Sequence, residues 1–111
     1  MSVTAVSGRI NMLLRELKEA LTQIYGANLR GLYLYGSYAR QEEDLESDVD
    51  VLIVLRDFMD YWEEVQRTGP FISELSLKYN VSISPVRVRE KNWLEEESPF
   101  LNCAREECLS L

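Results

Sequence analysis

The chain has 111 residues, 46% of them hydrophobic and 28% charged. That is the make-up of one globular domain, residues 1–111, with space for one core but none for a separate substrate domain. A net charge of -7 excludes tight, unaided binding to DNA or RNA, whose phosphates call for a basic surface, and no apolar run is long enough to cross a bilayer.

The N-terminus has neither the basic start nor the apolar core of a secretory signal, so the expected location is cytoplasmic. Cys103 and Cys108 have no histidine or further cysteine with which to build a zinc site, and they read as reduced thiols. The absence of histidine leaves proton transfer to a carboxylate or to water.

Val6, Ile10, Leu13, Leu14, Leu17, Leu21 and Ile24 recur at three- and four-residue steps and predict an amphipathic helix over residues 3–25, stopped by Gly26. Residues 29–35, rich in Leu and Tyr, predict a strand before Gly36, and residues 38–43 a short helical turn. The aliphatic run over residues 49–55 fits a strand buried on both faces in the middle of a sheet. Residues 61–79 have helical spacing, with Gly69-Pro70 expected to break or kink the element into two. Residues 81–88 alternate as a strand that Pro85 demotes to an edge or a bulged position. Ser98-Pro99 is an N-cap and first-turn pair, so a last helix is expected over residues 99–106 with Phe100, Leu101 and Ala104 inward.

Chemistry concentrates between the first two strands. Gly36-Ser37 stands ten residues ahead of Asp48-Val49-Asp50. Side chains alternate along a strand, so Asp48, Asp50, Leu52 and Val54 share one face and Val49, Val51, Ile53 and Leu55 the other. Two carboxylates one period apart can converge on a cation, and Mg²⁺ commonly takes one or two protein carboxylates and completes its shell with water and substrate phosphate. A glycine lets phosphate approach the main chain, and Ser37 adds a hydroxyl donor. Asp44, Glu46 and Asp48 imitate the start of a calcium loop, but Val49 and Leu55 stand where that loop needs glycine and glutamate. Without a Walker pattern, Gly36-Ser37 taken by itself is also compatible with a plain strand-to-helix turn.

Ser47-Asp48-x-Asp50 placed behind Gly36-Ser37, with the leading helix, the Leu32-Tyr-Leu-Tyr-Gly-Ser strand end and the segment Leu75 to Val86, resembles the minimal nucleotidyltransferases of the DNA polymerase β-like superfamily. The resemblance covers nearly the whole chain. It implies an α+β fold with a small mixed β-sheet flanked by helices. It also implies Mg²⁺ on Asp48 and Asp50 as metal-binding and catalytic residues, and the triphosphate of ATP on the Gly36-Ser37 turn. Members move a nucleoside monophosphate such as AMP onto a hydroxyl, and many are antitoxins that silence a HEPN-type toxin. Arg40 either faces the triphosphate or pairs with Glu43 or Asp44. No membrane or direct nucleic-acid partner is expected, and a homo- or hetero-oligomer is open.

Two departures from the pattern stand out. Gln41 occupies a position commonly held by glycine. More consequentially, the superfamily's third catalytic carboxylate belongs on the strand of residues 81–88, where this chain has Ser82 and Ser84 and no acid before Glu90. That acid helps hold the second metal in two-metal phosphoryl transfer. Two expectations follow: a Mg²⁺-dependent transferase acting on a protein hydroxyl, or a catalytically incomplete domain that neutralises its partner by binding alone. Tyr61, Trp62 and Trp93 are either anchors for such a partner or core residues.

Overall fold

The computed structural model describes residues 8–36 and 48–111. Val6, Ser37, Arg40, Gln41 and the helical turn expected over residues 38–43 lie outside them. Four strands form one mixed sheet: β1 (Leu29–Tyr35), β2 (Val49–Leu55), β3 (Ile83–Arg89) and β4 (Leu109–Ser110), in the spatial order β3-β2-β1-β4. β1 pairs antiparallel with β2 and β4, and β2 pairs parallel with β3. Helices α1 (Gly8–Tyr25), α2 (Tyr61–Tyr79), α3 (Glu90–Glu95) and α4 (Pro99–Glu107) flank it. This is the expected α+β fold with a small mixed sheet between helices.

The aliphatic run of β2 makes it central, and its two sets of side chains enter two cores. Val49, Val51, Ile53 and Leu55 pack with Ile10, Leu13, Leu14, Leu17 and Leu21 of α1 and Ile72, Leu75 and Tyr79 of α2. Leu52 and Val54 pack with Trp93 of α3 and Leu101 and Ala104 of α4. α1 ends at Tyr25, and Gly26, at φ +54, opens a 3-10 turn over Gly26–Asn28. Ile24, expected inward, is exposed, and Tyr25 is buried in its place.

The expected break at Gly69-Pro70 is absent, because α2 runs continuously through it. Its buried residues are Glu64, Thr68, Ile72, Leu75 and Tyr79, a stripe at helical spacing. At about 100° per residue, Pro70 falls on the opposite side of the helix from that stripe. The hydrogen bond that Pro70 cannot make is therefore lost on the solvent side, where water satisfies the carbonyl, while burial holds both halves in one line. Asp60 caps the N-terminus by accepting from the Trp62 N–H at 2.9 Å. Asn80 closes the C-terminus in the left-handed conformation, which asparagine tolerates better than most residues.

The α1–α2 side also buries polar groups. The Tyr25 hydroxyl donates to Glu64 Oε1 at 2.7 Å, and Arg87 Nη2 donates to Thr68 Oγ1 at 2.5 Å. Burial and the Glu64 carboxylate push the Tyr25 phenol well above its ordinary range, which keeps it a neutral donor. These two hydrogen bonds offset much of the cost of burying the groups, while the buried Arg87 Nε makes none.

β3 begins two residues later than expected and is an edge strand, one of the two positions that Pro85 allows. The Val49 N–H donates to Ser82 O at 2.8 Å, so the backbone groups of even-numbered residues bond to β2 and those of odd-numbered residues point away from it. The missing N–H of Pro85 thus falls on the free side, and the outward Arg87 N–H meets the Tyr61 hydroxyl at 3.5 Å. α4 starts on the expected Ser98 cap, but Phe100 points outward and sets its ring edge on Tyr35, with centroids 5.7 Å apart. Leu101 and Ala104 are buried as expected. α3 and β4 were not expected from the sequence.

Candidate functional site

Asp48 and Asp50 lie at the head of β2, where the end of β1 and the start of β3 flank them. Asp50 is in register with Tyr35 on one side and Ser84 on the other. It shares the Leu52 and Val54 face, as period-two alternation predicts, and is half-buried. Asp48 precedes the strand and is exposed.

Gly36 follows Tyr35 directly and has φ +73, a backbone region that side chains disfavour. A Cβ placed on it would collide with Asp50 Oδ2 and stand 3.1 Å from Asp50 Cγ. The glycine is therefore required twice, by its conformation and by the carboxylate that occupies the space beside it. The sequence suggested only that a phosphate could approach here. Ser37 and Arg40, the other expected nucleotide contacts, lie outside the described residues.

Ser84 stands at the position where a third carboxylate was sought. Its hydroxyl donates to Asp48 Oδ2 at 3.1 Å, a contact that spacing alone did not signal. Glu90 is six residues further along β3, roughly 20 Å at the rise of a strand, and faces Arg30 at 3.7 Å instead. It belongs to the opposite end of the sheet. Among the described residues no group of three or more Cys, Asp or Glu is arranged to hold a metal ion. Among the described residues the donor set is thus two carboxylates, with one of them held by a hydroxyl. That set suits a hard cation that keeps water and phosphate in its shell, and would not serve as an all-protein cage.

Tyr35 forms the wall beside Asp50. Burial first, then the Asp50 charge, raise its phenol above the ordinary value, so it stays protonated at neutral pH and can donate. Its contact with Phe100 leads into a groove of about 420 Å³ along β3, bounded by Phe58 and Tyr61 on one bank and Phe100 and Leu101 on the other. Trp93 is only 8% exposed and packs on Tyr33 with ring centroids 5.0 Å apart, which makes it a core residue. Tyr61 and Trp62 are 44% and 62% exposed and are not. No helix among the described residues is long and apolar enough to cross a membrane.

Known proteins share this arrangement of elements. A family model described as nucleotidyltransferase domain matches residues 14–105. A Methanocaldococcus jannaschii protein provisionally named a protein adenylyltransferase is 40% identical over 74 residues, covering 67% of this chain and 74% of its own length. A crystal structure from Sulfolobus solfataricus, provisionally named a nucleotidyltransferase, has a TM-score of 0.58 at 20% identity over 92% of this chain and 80% of its own. A toxin–antitoxin crystal structure with AMP-PNP has a TM-score of 0.56 at 19% identity, over 92% of this chain and 68% of that one. The two crystal structures speak for the fold. The family match runs from α1 through the glycine turn and the aspartate strand into α4, and on that evidence the chain belongs to the nucleotidyltransferase domain family.

Proposed function

We propose that residues 1–111 act as a single minimal nucleotidyltransferase domain that moves AMP, or another nucleoside monophosphate, from a nucleoside triphosphate to a hydroxyl of a protein, in the cytoplasm. The acceptor is a HEPN-type toxin, and the protein is its antitoxin. The observation that carries this reading is the seating of the Asp50 carboxylate against Gly36, with Asp48 at the same strand head. Two acids one strand period apart would be stabilised by a cation between them. The toxin–antitoxin structure and the adenylyltransferase-named relative support the choice of acceptor.

In this reading Asp48 and Asp50 hold Mg²⁺, which when bound neutralises charge on the triphosphate. Gly36 keeps space for Asp50, and Ser37 and Arg40 bind phosphate oxygens. Tyr35, kept neutral, donates into the site beside Asp50. The acceptor oxygen would bond to the α-phosphorus as the α–β phosphoanhydride breaks and pyrophosphate leaves, and its proton would pass to water or to a carboxylate, because the chain contains no histidine.

A second reading, partner neutralisation by binding alone, is favoured by one observation: Ser84 stands where a third acid would be, and no other acid among the described residues takes its place. Exposed Tyr61 on the groove and the exposed Trp62 that follows it suit an interface in either case. One experiment separates the two. The purified protein is incubated with Mg²⁺, α-labelled ATP and the product of the adjacent gene, with Asp48→Ala/Asp50→Ala as control. Label on the partner that vanishes in the control supports transfer. A stable unlabelled complex, equally tight in the control, overturns transfer in favour of binding.

A further inference from the structure

Asp48 sits one residue outside the ladder and is exposed, so nothing in the strand itself fixes the direction of its carboxylate. Asp50 is different, because the space at Gly36 and the register with Tyr35 and Ser84 already confine it. A pair of ligands converges on one cation only if both are confined, and the Ser84 hydroxyl at 3.1 Å from Asp48 Oδ2 is the contact that confines the second. The backbone supports this contact. The bond from the Val49 N–H to Ser82 O at 2.8 Å fixes β3 against the residue next to Asp48, and the register Asp50↔Ser84 sets the hydroxyl on the aspartate face.

We infer that Ser84 is a positioning residue for the cation site: its hydroxyl holds one oxygen of Asp48 so that Oδ1 is presented, together with Asp50, to a divalent ion. This rests on the metal–nucleotide reading above and adds to it a residue that touches neither metal nor nucleotide. A hydroxyl serves here where a third carboxylate would not, because it donates to Asp48, whereas an ionised acid only accepts and would repel its two neighbours. Groups that orient metal ligands from behind commonly contribute ten- to a hundredfold in affinity.

The test is direct titration of Mn²⁺ into the protein with α,β-methylene-ATP, followed by loss of the free-ion paramagnetic resonance signal. Wild type is expected to bind. Ser84→Ala should bind about 10- to 100-fold more weakly, and Ser84→Thr, which keeps the hydroxyl, should stay within about threefold of wild type. Ser84→Cys, similar in size but a weak donor, should resemble alanine and guards against a folding artefact in any one variant. Thermal unfolding without metal completes the set. Wild-type affinity in both Ser84→Ala and Ser84→Cys overturns the role of Ser84 while leaving the site intact. Absence of binding by wild type overturns the metal–nucleotide reading itself.

Discussion

The two faces of the sheet differ in what they are built from. The face toward α1 and α2 is closed: four aliphatic side chains of β2 meet long helices, and Glu64 and Thr68 there accept hydrogen bonds from Tyr25 and Arg87. The face toward α3 and α4 is covered by short helices, and along it a single strand passes from Val54 and Leu52 to Asp50. The cover stops before the strand does. Where it stops, the same alternation that buries leucine brings a carboxylate to the surface beside Gly36 and Tyr35. Stability and chemistry are thus separated by facing along one strand, and a substitution on either face should report on one property more than the other.

The largest expected effect is on the closed face. Ile53→Ala leaves a cavity among α1 and α2 residues and should cost about 2–5 kcal/mol, lowering Tm by more than about 10 °C for a chain of this length. Nucleotide affinity per folded molecule should be unchanged. A parallel loss of affinity in material shown to be folded would break the division between the faces.

Gly36→Ala should do the reverse. Its Cβ collides with Asp50 at a positive φ, so about 1–3 kcal/mol of strain is expected, with Mn²⁺ and nucleotide binding reduced at least tenfold as the carboxylate is displaced. Calorimetric titration against thermal unfolding measures both, and intact binding would show that Asp50 does not need its seat.

The smallest effect concerns the contact between α1 and α2. Glu16 accepts from Lys78 at 2.8 Å and also from the Tyr79 hydroxyl. The hydrogen bond from Lys78, then that from Tyr79, hold its carboxyl below the ordinary value of 4.5. A lowered folded pKa gives stability that is present above pH 4.5 and is lost as pH falls through the folded value. Glu16→Gln should therefore shrink the acid-induced fall in Tm below pH 4.5 and leave the curve near pH 7 almost flat. An unchanged acid limb would mean that these exposed bonds contribute nothing to holding the helices together.

Much of this was legible in the chain. The near-continuous aliphatic run over residues 49–55 called for a central strand, Pro85 for an edge or a bulge, and period two placed Asp50 with Leu52 and Val54. The continuity of α2 was not legible, because it depends on which side of the helix is buried. Pro70 is tolerated only since its turn faces water. Burial of Glu64 and Arg87 was hidden for a related reason: a charged residue gives no sign of being inside until its partners on other elements are known. α3 and β4 were missed because each is too short to establish a period. At the site, the aspartates and the glycine could be read from spacing. The contact between Gly36 and Asp50 needed the antiparallel register, and the bond from Ser84 to Asp48 needed the parallel one. A serine sought as a missing acid emerged as a donor.

The C-terminal strand has a consequence for how the protein behaves in solution. β4 pairs with Leu34 and Tyr33, Leu111 N–H donates to Leu32 O at 2.9 Å, and Lys18 reaches the Leu111 carbonyl. One margin of the sheet is thereby sealed, and the other is blunted by a proline and a tyrosine hydroxyl. Removing residues 109–111 would expose a Leu-Tyr-Leu-Tyr strand as a template for stacking with other copies. Such a truncation should aggregate through its first strand rather than unfold, although the lost residues pair with β1 and not with the aspartate strand.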